Sequence, residues 1–183
     1  MVFDFIGPAQ IAALLILLQR GLEELYSQRN TKRLLADGAK EAGRDYYPVV
    51  AAAHLGWIAG LFFLISPNTP IYWFPLALFL VLQIVRYWVI ATLGRYWTHR
   101  IITLAKAPVV RKGPYGFIRH PNYAVTIAET ALLPAAFGAW ALAAIMTAIW
   151  MAVIAYKIKL EDQALAERRA QSLGVEPETA SVR

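Results

Sequence analysis

The fold class this sequence predicts is an all-α integral membrane protein with about five transmembrane helices, and three observations predict it. First, 58% of the 183 residues are hydrophobic and only 16% are charged, against about 25% charged in an ordinary soluble domain. Second, the apolar residues gather into blocks long enough to cross hydrocarbon, which takes roughly 20 helical residues and at least about 17. Third, the basic residues avoid those blocks and cluster between and after them. The length suits one membrane-embedded domain over 1–183.

The first span is read as Val2–Leu18, the second as Pro48–Ile65 and the third as Ile71–Leu93. A final apolar block, Tyr123 to Tyr156, is too long for one span and is broken by Pro134 and Phe137-Gly138-Ala139. It reads as two helices around a tight turn, the second near Trp140–Tyr156. Charge tests this division. Arg20, Arg29, Lys32, Arg33, Lys40 and Arg44 fall between spans one and two. Arg95, Arg100, Lys106, Arg111, Lys112 and Arg119 fall between spans three and four, and Lys157, Lys159, Arg168, Arg169 and Arg183 follow span five. The connections Ser66–Pro70 and the turn near Gly138 carry no Lys or Arg. Under the positive-inside rule this predicts an external N-terminus, five crossings and a cytoplasmic C-terminus in a cell membrane.

Between the spans, the mixed-charge segment Ser27–Asp45 reads as a helix on the membrane surface. Lys157–Leu173 reads as a helix continuing from span five and ended by Gly174 and Pro177. The net charge of +6 admits nucleic acid as a partner, but its distribution points to membrane topology instead. No cysteine is present, which excludes disulfides, thiolate metal sites and cysteine nucleophiles. The first residues lack the basic region of a cleavable signal.

Chemistry concentrates in Gly113-Pro114-Tyr115-Gly116-Phe117-Ile118-Arg119-His120-Pro121-Asn122-Tyr123. Polar groups at the edge of hydrocarbon are costly and are retained chiefly where they face a cavity or ligand. Pro121 favours an extended His120 and suits the first turn of the following helix. Backbone N–H groups at that helix start, with Arg119 and His120, would receive a carboxylate or phosphate. Glu129, six residues into the fourth span, must face a cavity or a partner. Glu161 and Asp162 open the C-terminal helix, where an ordinary solvated face paired with Lys157 is the plainer reading. Arg86, alone inside a span, reads as a snorkelling side chain. His54 and His99 lack metal-ligand spacing, so no metal is expected. No phosphate loop or nucleophile elbow is present.

The runs Leu93-Gly94-Arg95-Tyr96-Trp97-Thr98, Val110-Arg111-Lys112-Gly113-Pro114-Tyr115, Arg119-His120-Pro121-Asn122-Tyr123 and Glu161-Asp162 resemble the isoprenylcysteine carboxyl methyltransferase family. These are integral-membrane enzymes that use S-adenosyl-L-methionine. Arg29-Asn30, Gly38–Gly43 and Tyr47-Pro48 are similar to a bacterial branch whose members O-methylate long-chain alkylpyrones or alkylresorcinols.

The resemblance implies a cytoplasmic cofactor pocket formed by the 94–123 segment and the C-terminal helix. Residues 1–93 would supply three spans, 94–173 the catalytic core and 174–183 a tail. Val110, Gly113, Pro114 and Tyr115 would wrap S-adenosyl-L-methionine, His120 and Tyr123 would hold its amino-acid end or ring, and Glu161 with Asp162 would close the pocket. The family usually has two glutamates where this chain has Glu161-Asp162. Family members also continue into an aromatic-rich helix, whereas this chain reads Ala164-Leu165-Ala166-Glu167-Arg168-Arg169-Ala170-Gln171, which weakens the case for a prenylated-protein substrate. The expected partner is a lipid-tailed acceptor arriving from the bilayer.

Transfer from a sulfonium is an in-line displacement, so positioning can supply most of the catalysis. A carboxylate acceptor needs no base, whereas a phenol or enol must lose its proton. Glu129 is the candidate base and Arg119 the candidate electrostatic partner. Prenylcysteine carboxyl methylation and phospholipid N-methylation are the alternatives within enzymes. A small transporter would show inverted repeats or paired interrupted helices, and neither is found.

Overall fold

The computed structural model describes residues 5–104, 107 and 110–172, with side chains through 166. Gly174 and Pro177, expected to end the last helix, lie outside the described residues, as do Met1–Asp4. Among the described residues, five α-helices make up the body: α1 (Pro8–Ala36), α2 (Tyr47–Phe63), α3 (Trp73–Leu93), α4 (Pro121–Ala135) and α5 (Trp140–Ser172). Two three-residue strands, β1 (Lys40–Ala42) and β2 (Ile101–Thr103), pair antiparallel with Glu41 opposite Ile102.

The helices alternate in direction, and polar ties fix their ends. Gln10, in the first turn of α1, donates through Nε2 to the carbonyls of Phe62, in the last turn of α2, and Ile65, just beyond it, at 3.0 and 2.7 Å. The Tyr72 N–H, just before α3, donates to Ala136 O after α4 at 2.8 Å. The turn between α4 and α5 runs through Gly138 at φ +69°, a conformation that costs other residues steric strain. The expected break near Gly138 is therefore present, and α5 continues unbroken past Lys157 as its sequence implied.

Among the described residues, three helical stretches are long and apolar enough to cross a membrane: Arg44–Phe63, Trp73–Tyr96 and Trp140–Ala166. At about 1.5 Å per residue, the 15-residue α4 is about 23 Å long. The first helix differs from expectation. Apolar sequence ends near Leu18, yet α1 continues to Ala36, because its polar residues turn inward. Gln10, Ala13, Ile16, Arg20, Glu23, Ser27, Asn30 and Leu34 recur every three or four residues and are buried, while Leu14, Leu18, Leu22 and Leu25 form an exposed stripe. The segment 27–45 is accordingly no separate surface helix: it completes α1 and then forms β1 and a short 3-10 turn at Arg44–Tyr46.

Trp57, Leu61, Ile16, Leu133, Phe137 and Trp150 form the centre of the apolar core. Large apolar residues such as Phe63 at the end of α2, Trp73 and Phe74 at the start of α3 and Ile84 in its middle point outward. A rim of exposed tryptophan and phenylalanine beside apolar helices is the pattern of a lipid-facing surface.

Candidate active site

At the end of the bundle where α3 stops and α4 begins, the chain folds back on itself to make a cleft. Gly113, at φ +56°, sits so close to α3 that an added Cβ would lie 2.9 Å from Thr92 Oγ1 and 3.2 Å from Trp88 Nε1. A glycine is therefore required for the 3-10 turn Gly113–Gly116 to pack here. That turn buries Pro114 and directs Tyr115 into the cleft. His120 then leaves the extended loop at φ −127° and ψ 61°, and Pro121 opens α4.

The cleft has two adjoining lobes. One, of about 250 Å³, is lined by Tyr96, Thr98, Arg100, Tyr115, Arg119, His120, Asn122, Tyr123, Lys157 and Glu161, among others. The other, of about 280 Å³, is more apolar and adds Leu34, Leu104, Ala107 and Val110. Tyr96, Tyr115 and Leu165 face both. Lys157, Glu161 and Leu165 reach the first lobe from one face of α5, spaced at four-residue intervals.

Inside the polar lobe the contacts are specific. The Tyr123 hydroxyl donates to Glu161 Oε1. His120 stacks on the Tyr123 ring at 5.0 Å with planes 7° apart, and its Nδ1 lies 3.9 Å from Glu161 Oε2. Lys157 Nζ donates to the His99 carbonyl at 3.0 Å and lies 5.1 Å from the centroid of the Tyr123 ring. Burial, with the Glu161 charge adding to it, pushes the Tyr115 phenol well above its ordinary value, so it stays a neutral hydrogen-bond donor. Asn122 Oδ1 is buried without a partner among the described residues, an orphaned acceptor at the cleft.

The structure thus brings together Tyr115, Arg119, His120, Tyr123 and Glu161. Gly113 and Pro114 act from behind, as the turn that sets Tyr115, and Val110 lines the apolar lobe alone. Asp162 is exposed and lines neither lobe. Arg100, Lys157, Tyr96 and Thr98 were not singled out from sequence as site residues. The four-residue spacing of Lys157 and Glu161 was the one signal available for Lys157; Arg100 had none.

Glu129 requires a correction. It is 1% exposed and lies in a buried ion cluster between α1, α3 and α4. Its Oε2 accepts from Arg20 at 2.8 Å and Arg86 at 3.2 Å, and its Oε1 accepts from Gln83 at 2.8 Å. Glu23 completes the group, bonded to Arg20 and twice to Arg86 at 2.6–2.7 Å. Both oxygens of Glu129 are engaged and it lines neither lobe of the cleft, so no lone pair faces an acceptor as a base would need. Arg86 is likewise no snorkelling side chain: it is 1% exposed and held by two carboxylates.

Alternating apolar helices with a mixed-charge cleft at one end make this a membrane-protein fold with a candidate site, and the comparisons with known proteins say which family it represents. The model of the isoprenylcysteine carboxyl methyltransferase (ICMT) family matches residues 75–167, the stretch that holds α3, α4, the cleft loop and most of α5. This chain belongs to that family, which is one of methyltransferases in membranes. A protein of Bacillus subtilis (strain 168), described as "Uncharacterized protein YpbQ", is 31% identical over 157 residues, covering 84% of this chain and 94% of the relative. No solved structure matches.

The side chains at the cleft fit the family's cofactor. S-adenosyl-L-methionine presents a carboxylate, an ammonium, two ribose hydroxyls and an aromatic base. Lys157, Arg100 and Arg119 are the cations available for the carboxylate, Glu161 and the orphaned Asn122 Oδ1 the acceptors for the ammonium or hydroxyls, and Tyr96 and Tyr115 the aromatic faces. Among the described residues no cluster of three or more His, Cys, Asp or Glu could hold a metal.

Proposed function

We propose that this chain is an S-adenosyl-L-methionine-dependent O-methyltransferase acting on a lipid-tailed acceptor, with a long-chain phenol or pyrone hydroxyl as the favoured group. The observation that carries the reading is the cleft itself. Three cations line its polar lobe against one carboxylate, and an apolar lobe adjoins it. Such a site suits a charged cofactor meeting a greasy partner.

When bound, the cofactor supplies a methyl group on a positively charged sulfur. The chain's own residues then orient and exclude water. Tyr123 fixes the Glu161 carboxylate, Lys157 is itself held by the His99 carbonyl, and the stacked His120 and Tyr123 rings form one wall. Holding the reacting atoms in line is worth more here than any group that forms a bond. Arg119, exposed at the mouth, is a candidate partner for negative charge on the acceptor. The basic segments support a cytoplasmic cleft, an external N-terminus and five crossings.

Membrane vesicles test chemistry and sidedness together. Inverted vesicles given labelled S-adenosyl-L-methionine and a long-chain alkylresorcinol or alkylpyrone should yield a methylated lipid, while right-side-out vesicles should not. Label appearing instead as a base-labile ester on protein would assign prenylcysteine carboxyl methylation. Label bound by neither vesicle type would defeat the methyltransferase reading.

A further inference from the structure

A second cavity, of about 220 Å³, is lined by residues of α1 and α2 together with His99. Leu17 and Ile58 give it apolar walls, and Arg20, Glu24, Tyr47, His54 and His99 are its polar lining. Gly21 also lines it, and a Cβ there would meet nothing within 4 Å. A glycine weakens a helix interior, and no close approach requires this one. Its effect is to leave open space.

His99 lines this cavity, and its chain neighbours Trp97, Thr98 and Arg100 line the polar lobe of the cofactor cleft. Its Nδ1 lies 2.8 Å from Glu24 Oε2. An ionised carboxylate only accepts hydrogen bonds, so Nδ1 carries the proton and Nε2 keeps its lone pair. That Nε2 is buried and has no partner among the described residues. The ring meets Trp97 edge-on at 4.7 Å, and Trp97 lines the cofactor lobe. The backbone is pinned on both sides, by Ser27 Oγ accepting from the His99 N–H at 2.8 Å and by Lys157 donating to the carbonyl. A carboxylate that orients one imidazole nitrogen and leaves the other free is the arrangement of a general base.

We propose that this apolar cavity seats the chain of the acceptor and that His99, oriented by Glu24, removes the proton of the acceptor hydroxyl. The inference rests on the O-methyltransferase reading above and assigns its base. The O–H proton passes to Nε2, and the freed oxygen pair forms a bond to the methyl carbon. The sulfonium C–S bond breaks as that bond forms, its electron pair leaving on sulfur as a neutral thioether, and the imidazolium returns its proton to water. Glu24 is a positioning residue. Charge from the surrounding elements is consistent with a neutral resting imidazole. Burial holds His99 below its ordinary value despite the opposing Glu24 bond, with Arg86 of α3 acting in the same direction as burial and Glu23 of α1 against it. Arg20 of α1 and Lys157 of α5 are the other cations nearby, and His54 of α2 lines the same cavity. Burial would raise the Glu24 carboxyl, but bonds from His99, Tyr47 and Gln28 bring it to about 2, so it stays ionised.

The test uses a long-chain alkyl nitrophenol, whose colour reports its ionisation, added to the full-length protein without cofactor at a pH below the dye's own pKa. The wild-type protein should bind it and display the phenolate band. His99→Asn, whose amide still donates to Glu24, should bind the dye and leave it neutral. Glu24→Gln should give a weaker phenolate band that recovers as pH rises. With labelled cofactor, His99→Asn should lose about 10²–10⁴ in turnover on a plain alkylphenol and about tenfold or less on the nitrophenol once it is ionised. Gly21→Leu should block dye binding and leave labelled cofactor binding intact. A phenolate band in His99→Asn equal to wild type, full turnover of that variant on alkylphenol, or dye binding that survives Gly21→Leu would each overturn the proposal. If His99→Asn fails to bind labelled cofactor, Gly21→Leu and Glu24→Gln decide. Failure of the wild type to bind cofactor would defeat the methyltransferase reading, whereas the colour change, read without cofactor, judges the base alone.

Discussion

One helix, α4, carries charged chemistry of two opposite kinds. Tyr123, in its first turn, belongs to the cleft, and Glu129, six residues or about 9 Å further along, belongs to the buried cluster with Arg20, Glu23 and Arg86. The cluster contains two cations and two anions, and Gln83 occupies the remaining oxygen of Glu129. Charge balances there and both carboxylates are engaged, with the Arg20 Nε–H the one group of the cluster lacking a partner among the described residues. The cleft is unbalanced. Arg100, Arg119 and Lys157 line it against Glu161, and Asn122 Oδ1 has no partner among the described residues. An ionisable side chain near hydrocarbon marks a binding site only when its neighbours leave it unsatisfied.

That contrast predicts different failures when each region is cut. The largest effect belongs to Glu129→Ala, which would strand Arg20 and Arg86 in a buried site. Breaking a buried pair from one side costs about 3–5 kcal/mol. Thermal unfolding in detergent should show a large loss of stability, while the fraction that remains folded binds cofactor like wild type. Undiminished stability with lost turnover would return Glu129 to the chemistry and erase the distinction. Glu161→Ala should behave the other way. Losing one charge-assisted contact weakens cofactor binding about tenfold to a hundredfold, on the order of 1.5–3 kcal/mol, and the half-buried position should leave unfolding nearly unchanged. Equilibrium binding of labelled S-adenosyl-L-methionine measures it. Tyr123→Phe, which frees Glu161 to move, should reproduce part of that loss.

What the sequence revealed divides along the same line. Local signals were readable: Pro121 opening α4, the break at Gly138, the unbroken run of α5, and the polar motif that becomes one wall of the cleft. Features that depend on distant partners were not. Glu129 and Glu161 look alike as isolated acids beside apolar sequence, and what separates them is Arg20, 109 residues upstream of Glu129. The first helix was cut short at Leu18 because polar residues normally end a span, whereas here Arg20, Glu23, Ser27 and Asn30 face inward and the leucines face out. The strands β1 and β2 have three residues each and pair across 59 residues of chain, from Ala42 to Ile101, too short for alternation to register. Metal-ligand spacing carries no sign of a carboxylate-bound His99, because its partner Glu24 lies 75 residues away.

The smallest predicted effect concerns Asp162, the neighbour of Glu161 and equally acidic. Adjacent residues on a helix are about 100° apart and do not share a face. α5 turns Glu161 towards Tyr123, so Asp162 faces outward and is exposed. Asp162→Asn removes a solvated charge from that outward side. A change of this kind stays within about 0.5 kcal/mol, so cofactor affinity should remain within about twofold of wild type. Run beside Glu161→Ala in the same binding assay, it asks whether position on the helix or acidity of the local sequence decides which carboxylate binds. A tenfold loss from Asp162→Asn would mean that α5 presents both acids to the bound cofactor, and the cleft described by Lys157, Glu161 and Leu165 would have to rotate to admit it.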